Sequence, residues 1–207
     1  MQHDRRRRRR IQLSAGFAVA ITAAAVPALS PSGWRMFDSS NRVQADPSPV
    51  HLEADLSRRQ LIVYDGDDSA AAYGVAVGST KYPTPTGSYR IRKIVWNPAW
   101  IPPDRGWAKG KEPQEPGSKA NPMRVVKMYF KEPDYYIHGT NAPESIGDAA
   151  SHGCLRMEAG DAAELARYLM EHGGQPRDES WFARVLHFRS ETKTVYLDSP
   201  VSLTISE

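Results

Sequence analysis

Short runs in which apolar and polar residues alternate, interrupted by turn residues about every eight to twelve positions, constrain this chain most. From Val50 the order is Val-His-Leu-Glu-Ala-Asp-Leu. Strand side chains point to opposite faces in turn, so such a run buries one face and wets the other. Arg59–Tyr64 repeats the pattern, Asp65-Gly66-Asp67-Asp68 is a hairpin-type turn, and Ala72–Gly78 reads as a further strand. Met123–Phe130 and Asp134–Ile137 are also strand-like, the latter delivering His138 at its end. Phe182–Phe188, Thr194–Leu197 and Val201–Ile205 read as closing strands. One interval has a different period: Ala162, Leu165, Ala166 and Leu169 recur at helical spacing. Asp161 and Glu164 give that helix a capping-box-like start, and Gly173-Gly174 a stop. These runs predict a mainly β domain with one or two helices, folded as a β-sandwich or partly closed barrel.

The charge is unevenly placed. The net +3 of the 207 residues comes from Arg5–Arg10, six arginines beside the single acid Asp4. Beyond residue 30 there remain 21 basic and 23 acidic residues, so the body offers no general nucleic-acid surface. The arginines are followed at once by the apolar run Ile11–Leu29, and Val26-Pro27-Ala28 resembles a small-x-small cleavage site. Residues 1–28 therefore read as a signal peptide or N-terminal membrane anchor, the only part with a membrane role. Residues 29–48, bracketed by Ser30-Pro31-Ser32-Gly33 and Asp46-Pro47-Ser48-Pro49, read as a linker, and 49–207 as the folded domain. The expected location is outside the cytoplasm: periplasm or cell wall, with inner-membrane anchoring as the variant.

Two features precede the chemistry. Tyr82-Pro83-Thr84-Pro85-Thr86-Gly87 is a proline-stiffened turn entering a strand. Residues 96–122 form a long proline- and glycine-rich loop carrying Trp96, Trp100 and Trp107. Its indoles either stack on sugar rings or cover a cleft, or they plug the open end of the sheet.

Cys154 is the only cysteine, inside Ser151-His152-Gly153-Cys154-Leu155-Arg156-Met157. A second histidine lies sixteen positions upstream, in Ile137-His138-Gly139-Thr140. A neighbouring imidazole can take a thiol's proton and so create the attacking thiolate. Gly153 leaves room for a substrate and lets backbone N–H groups converge on an oxyanion. Three other uses stay open on these residues: a small buried apolar side chain, an intermolecular disulfide, or a zinc ligand. Zinc is disfavoured because a closed structural site takes four ligands, usually with paired short spacings, and there is no second cysteine. For the base, His152 shares a face with Cys154 if the segment is extended, while His138 lies opposite only if the fold brings it there.

His138-Gly139-Thr140-Asn141 followed by Ser-His-Gly-Cys-Leu-Arg-Met resembles the signature of the L,D-transpeptidase catalytic domain, YkuD type. Thr84-Pro85-Thr86-Gly87-Ser88-Tyr89-Arg90-Ile91 and Ser145-Ile146-Gly147 resemble two further segments of that family, which commonly also has a lid or insertion near 96–122. The resemblance implies Cys154 as nucleophile, His138 as general base, and the Gly139 carbonyl as orienter of its ring; backbone N–H groups around Gly153 and Cys154 would form the oxyanion hole. His152 is then a structural or substrate-contacting member of the pocket, Ser151 hydrogen-bonds substrate or backbone, and Arg156 binds a substrate carboxylate or makes a structural salt bridge. The implied reaction is peptidoglycan L,D-transpeptidation. D-Ala is released from a tetrapeptide stem, and the thioester on Cys154 passes to an amine of a neighbouring stem or of an outer-membrane lipoprotein. Hydrolysis of the same thioester, as an L,D-carboxypeptidase, and a wall-binding module with an inert thiol are the alternatives. Neither a metal nor an organic cofactor is implied.

Overall fold

The computed structural model describes residues 49–207; the leader and linker expectations for 1–28 and 29–48 lie outside the described residues. Eight strands are hydrogen-bonded into one sheet in the order β3-β2-β1-β8-β4-β5-β6-β7. In chain order they are β1 Val50–Asp55, β2 Gln60–Asp65, β3 Asp68–Gly74, β4 Gly87–Trp96, β5 Met123–Lys131, β6 Tyr135–Thr140, β7 Leu155–Met157 and β8 Lys193–Ser206. Two helices, α1 Ala159–His172 and α2 Glu179–His187, complete the domain.

The alternation seen in the sequence becomes the core. Val50, Leu52 and Ala54 of β1 are buried with Leu61 and Val63 of β2 and Val201, Leu203 and Ile205 of β8. β1 runs antiparallel to β2 and parallel to β8. α1 lays Ala162, Leu165, Ala166 and Leu169 against the sheet, the helical stripe expected from their spacing.

The sheet is nearly closed on itself. Residues 75–79, which leave the β3 edge, run beside the segment that precedes and enters β7, at the opposite edge. Ala76 and Arg156 exchange two backbone hydrogen bonds of 2.9 Å, Ser151 N–H donates to Val77 O at 2.9 Å, and Ser79 N–H donates to Ser151 O at 3.0 Å. The cysteine-bearing stretch is therefore sewn to both its β6 neighbour and the far edge of the sheet.

Two expectations are corrected. Phe182–Phe188 is not a strand but most of α2. The Asp178 carboxylate caps that helix by accepting from Trp181 N–H at 2.7 Å, and Phe182 and Val185, three apart, point inward. Thr194–Leu197 and Val201–Ile205 are one strand, β8, whose register with β4 shifts between Ile91 and Lys93. No helix of the described residues is long and apolar enough to cross a membrane.

Candidate active site

β6 and β7 run parallel, with Ile137 beside Leu155 and His138 beside Arg156. Ile137 and Leu155 are fully buried on the core side. Because side chains alternate, Tyr136 and His138 lie on the other face of β6, and Cys154 and Arg156 on the same face of the adjoining segment. The fold thus brings His138 and Cys154 to one surface although sixteen residues separate them.

The imidazole of His138 is 2 % exposed. Its Nδ1 is 2.9 Å from Gly139 O. A carbonyl only accepts, so Nδ1 carries the proton and Nε2 keeps its lone pair. Burial, followed by the charges of Arg156 and Lys127, pulls the imidazole down to about 3, against an upward effect of the Gly139 bond. Gly139 has no space for a side chain: an added Cβ would stand 2.4 Å from Arg124 O and 3.0 Å from the Ala159 Cα.

The Cys154 thiol donates to Asp134 O at 3.3 Å. Burial pushes it up to about 11, opposed by the Tyr136 backbone hydrogen bond and the charges of Lys127 and Arg156. Burial thus favours the neutral form of both groups and works against a thiolate–imidazolium pair. No hydrogen bond joins Sγ to the His138 ring among the described residues.

Gly153 has φ +107, a conformation that L side chains rarely adopt, and an added Cβ would stand 2.7 Å from Tyr135 Cε1. Of the two amides expected at an oxyanion hole, that of Gly153 donates to Ser151 Oγ at 3.0 Å. The Cys154 N–H, by contrast, has no hydrogen-bond partner among the described residues. Ser151, expected to meet substrate or backbone, is 2 % exposed, and its hydroxyl donates to Cys154 O at 2.6 Å. Both hydroxyl functions are consumed in shaping the turn.

His152 stacks on Trp107 with ring centroids 3.9 Å apart and planes 17° from parallel, and Tyr82 packs 4.8 Å away. Arg156 and His152 line a cavity of about 430 Å³ with Trp100, Trp107, Lys111 and Gln114. Residues 97–122 lie over this region, held by the Trp107 stack, by an Arg105–Asp134 ion pair of 2.8 Å and by Lys127 Nζ donating to Ala99 O at 3.3 Å. Of the three indoles, Trp96 plugs the core against Phe182 and Trp181, whereas Trp107 covers the site.

Sequence reasoning missed Lys127 and Tyr136. Lys127 is the cross-strand partner of His138 and is 7 % exposed; burial pulls its ammonium down to about 8. Tyr136 sets its ring 5.4 Å from that of His138, edge to face. A lysine inside Val-Val-Lys-Met-Tyr-Phe was the available signal. No group of three or more His, Cys, Asp or Glu side chains is placed to hold a metal among the described residues.

The family model described as YkuD, the L,D-transpeptidase catalytic domain, matches residues 49–194, and the chain belongs to that family. Among curated proteins, the putative L,D-transpeptidase YkuD of Bacillus licheniformis is 31% identical over 121 residues, 58% of this chain and 61% of that protein. Its Bacillus subtilis counterpart is 30% identical over 118 residues, 57% of this chain and 59% of that protein. The chain thus spans about three-fifths of the length of these relatives. Among solved structures, L,D-transpeptidase 3 of Mycobacterium tuberculosis shares 16% identity at a TM-score of 0.49, covering 78% of this chain and 62% of that one. The catalytic domain of the Enterococcus faecium L,D-transpeptidase shares 17% identity at a TM-score of 0.48, covering 78% of this chain and 99% of that one.

Proposed function

We propose that the chain is an exported peptidoglycan L,D-transpeptidase that works through Cys154. The observation that carries this reading is the Nδ1–Gly139 O bond of 2.9 Å, which leaves Nε2 of His138 as a proton acceptor on the face that bears the thiol. Membership of the family supports the substrate class, a tetrapeptide stem of the cell wall.

Attack begins when Sγ leaves the Asp134 carbonyl. The S–H proton passes to Nε2 as sulfur bonds to the carbonyl carbon at the L-centre of the diamino acid. With burial favouring the neutral imidazole and thiol, transfer coincides with attack rather than preceding it. The Cys154 N–H donates to the developing oxyanion. Collapse breaks the C–N bond to D-Ala, whose nitrogen takes the proton from Nε2. An amine of a second stem then attacks the thioester, gives its proton to Nε2, and releases the sulfur, which is reprotonated. Arg156, half-buried in the cavity, pairs with a stem carboxylate, and the His152–Trp107 stack forms the adjoining wall.

Incubation of the folded domain with tetrapeptide muropeptides, read by mass spectrometry, tests this. Dimers with loss of D-Ala are expected, and none from Cys154→Ala. Tripeptides alone would make the enzyme an L,D-carboxypeptidase, conjugates with a lipoprotein would change the acceptor, and release persisting in Cys154→Ala would overturn the role of the thiol. An unchanged substrate bound by both forms would mark a wall-binding module.

A further inference from the structure

Lys127 is a buried cation without an anion. Among the described residues it makes no ion pair, and its one hydrogen bond is to Ala99 O at 3.3 Å. A buried charge without a partner is costly, so an ammonium kept there implies an anion that forms nearby. The backbone is distorted to aim it. β5 breaks register between Arg124 and Lys127, and Val125, β-branched, has φ +64, a region such residues avoid. Asn97 N–H holds that bulge by donating to Val125 O at 2.7 Å. Past the bulge the strand alternates: Val126 and Met128 are buried in the core, and Lys127 is buried on the His138 face, where Ala99 of the overlying residues 97–122 accepts from it. Strain of this kind gathers at functional sites.

Lys127 Nζ sits 4.8 Å from the centroid of the Tyr136 ring. Tyr136 and Cys154 directly precede the paired residues Ile137 and Leu155, so the parallel register sets the Tyr136 side chain beside the sulfur on one face, and the charge of Cys154 bears on the phenol. A cation on the face of a phenol withdraws electron density and makes its O–H a stronger donor. We propose that Tyr136 is a catalytic residue whose hydroxyl donates to the Cys154 sulfur and stabilises the negative charge that develops there as the proton leaves, with Lys127 as the positioning residue that polarises the phenol through its ring. The proton lost by sulfur goes to His138 Nε2 or to solvent, and no bond of Tyr136 is broken, since its burial keeps the phenol protonated. The other charged or titratable groups around the sulfur are Arg156 from β7, His138 from β6, Tyr129 from β5 and Asp134 before β6, with Lys93 of β4 acting on Lys127.

This inference rests on the reading above only in naming Cys154 as the nucleophile. Because Cys154 is the sole cysteine, iodoacetamide alkylation and ultraviolet thiolate absorbance both report on one sulfur. Their pH profiles are measured for wild type, Tyr136→Phe, Lys127→Met, Lys127→Arg and the double variant Tyr136→Phe/Lys127→Met. Tyr136→Phe is expected to raise the midpoint by roughly one pH unit, about tenfold less thiolate at a given pH. Lys127→Met shifts it the same way by less, Lys127→Arg restores it, and the double variant goes no further than Tyr136→Phe. An unmoved midpoint in Tyr136→Phe overturns the proposal, and additive shifts overturn the relay through the ring. Should Tyr136→Phe fail to fold, an unmoved midpoint in folded Lys127→Met does the same. Neither readout needs a peptide substrate, so a failed muropeptide assay with shifted profiles counts against the transpeptidase reading and leaves this one standing.

Discussion

Lys127 on β5 and His138 on β6 are direct cross-strand partners, and the next position in the row, across β6 and β7, is Arg156. The buried imidazole is thus flanked by two cations, and it is held down to about 3 from its ordinary 6.5. Below its ordinary value the unfolded chain takes up a proton that the folded domain refuses. Stability is therefore full above about pH 6.5 and declines as pH falls toward 3, with a slope of about 1.4 kcal/mol per pH unit within that window. His138→Gln should flatten this limb in urea unfolding measured between neutral and acid pH.

Ser151 separates a structural from a substrate role. Its hydroxyl closes the turn between Cys154 O and Gly153 N–H. Ser151→Ala leaves two buried backbone groups short of a partner and should cost about 1–3 kcal/mol of stability. A change in KM with an unaltered Tm would instead return Ser151 to the substrate.

Gly139 meets the tightest steric limit in the site, with Arg124 O only 2.4 Å from where a Cβ would sit. Gly139→Ala forces β6 away from β5 and carries the His138 ring with it. The expected cost is about 1–3 kcal/mol by chemical denaturation, together with a loss of activity larger than that destabilisation explains.

Trp107 tests the cover. Trp107→Ala removes the stack on His152, worth about 0.5–1.5 kcal/mol for an aromatic pair. Amide hydrogen exchange should quicken in residues 97–122 and stay unchanged in β1, β2 and β8. Exchange that accelerates everywhere would show that the indole supports the core.

Much of this architecture was readable in the chain itself. β1, β2 and the Gly66 turn follow from strict alternation, and α1 from the spacing of its apolar stripe. α2 escaped because Phe182, Val185 and Phe188 form a run too short to separate the two periods. Lys127 escaped for a different reason. In a regular strand a lysine between apolar neighbours marks the wet face; Lys127 does lie on the face opposite the core, with His138, and is buried there because residues 97–122 cover it. Gly153 and Ser151 belonged to a recognisable motif, but which of their polar atoms were already engaged depended on the turn they build together.

The stitching of residues 75–79 to 147–156 ties the birth of the thiol's environment to the joining of the two most distant margins of the sheet. Contacts between segments so remote along the chain form late, since loop-closure entropy must be overcome first. Acyl transfer at Cys154 then becomes a gauge of completed folding, arising only once the last seam is drawn shut and absent from any fragment that lacks either margin.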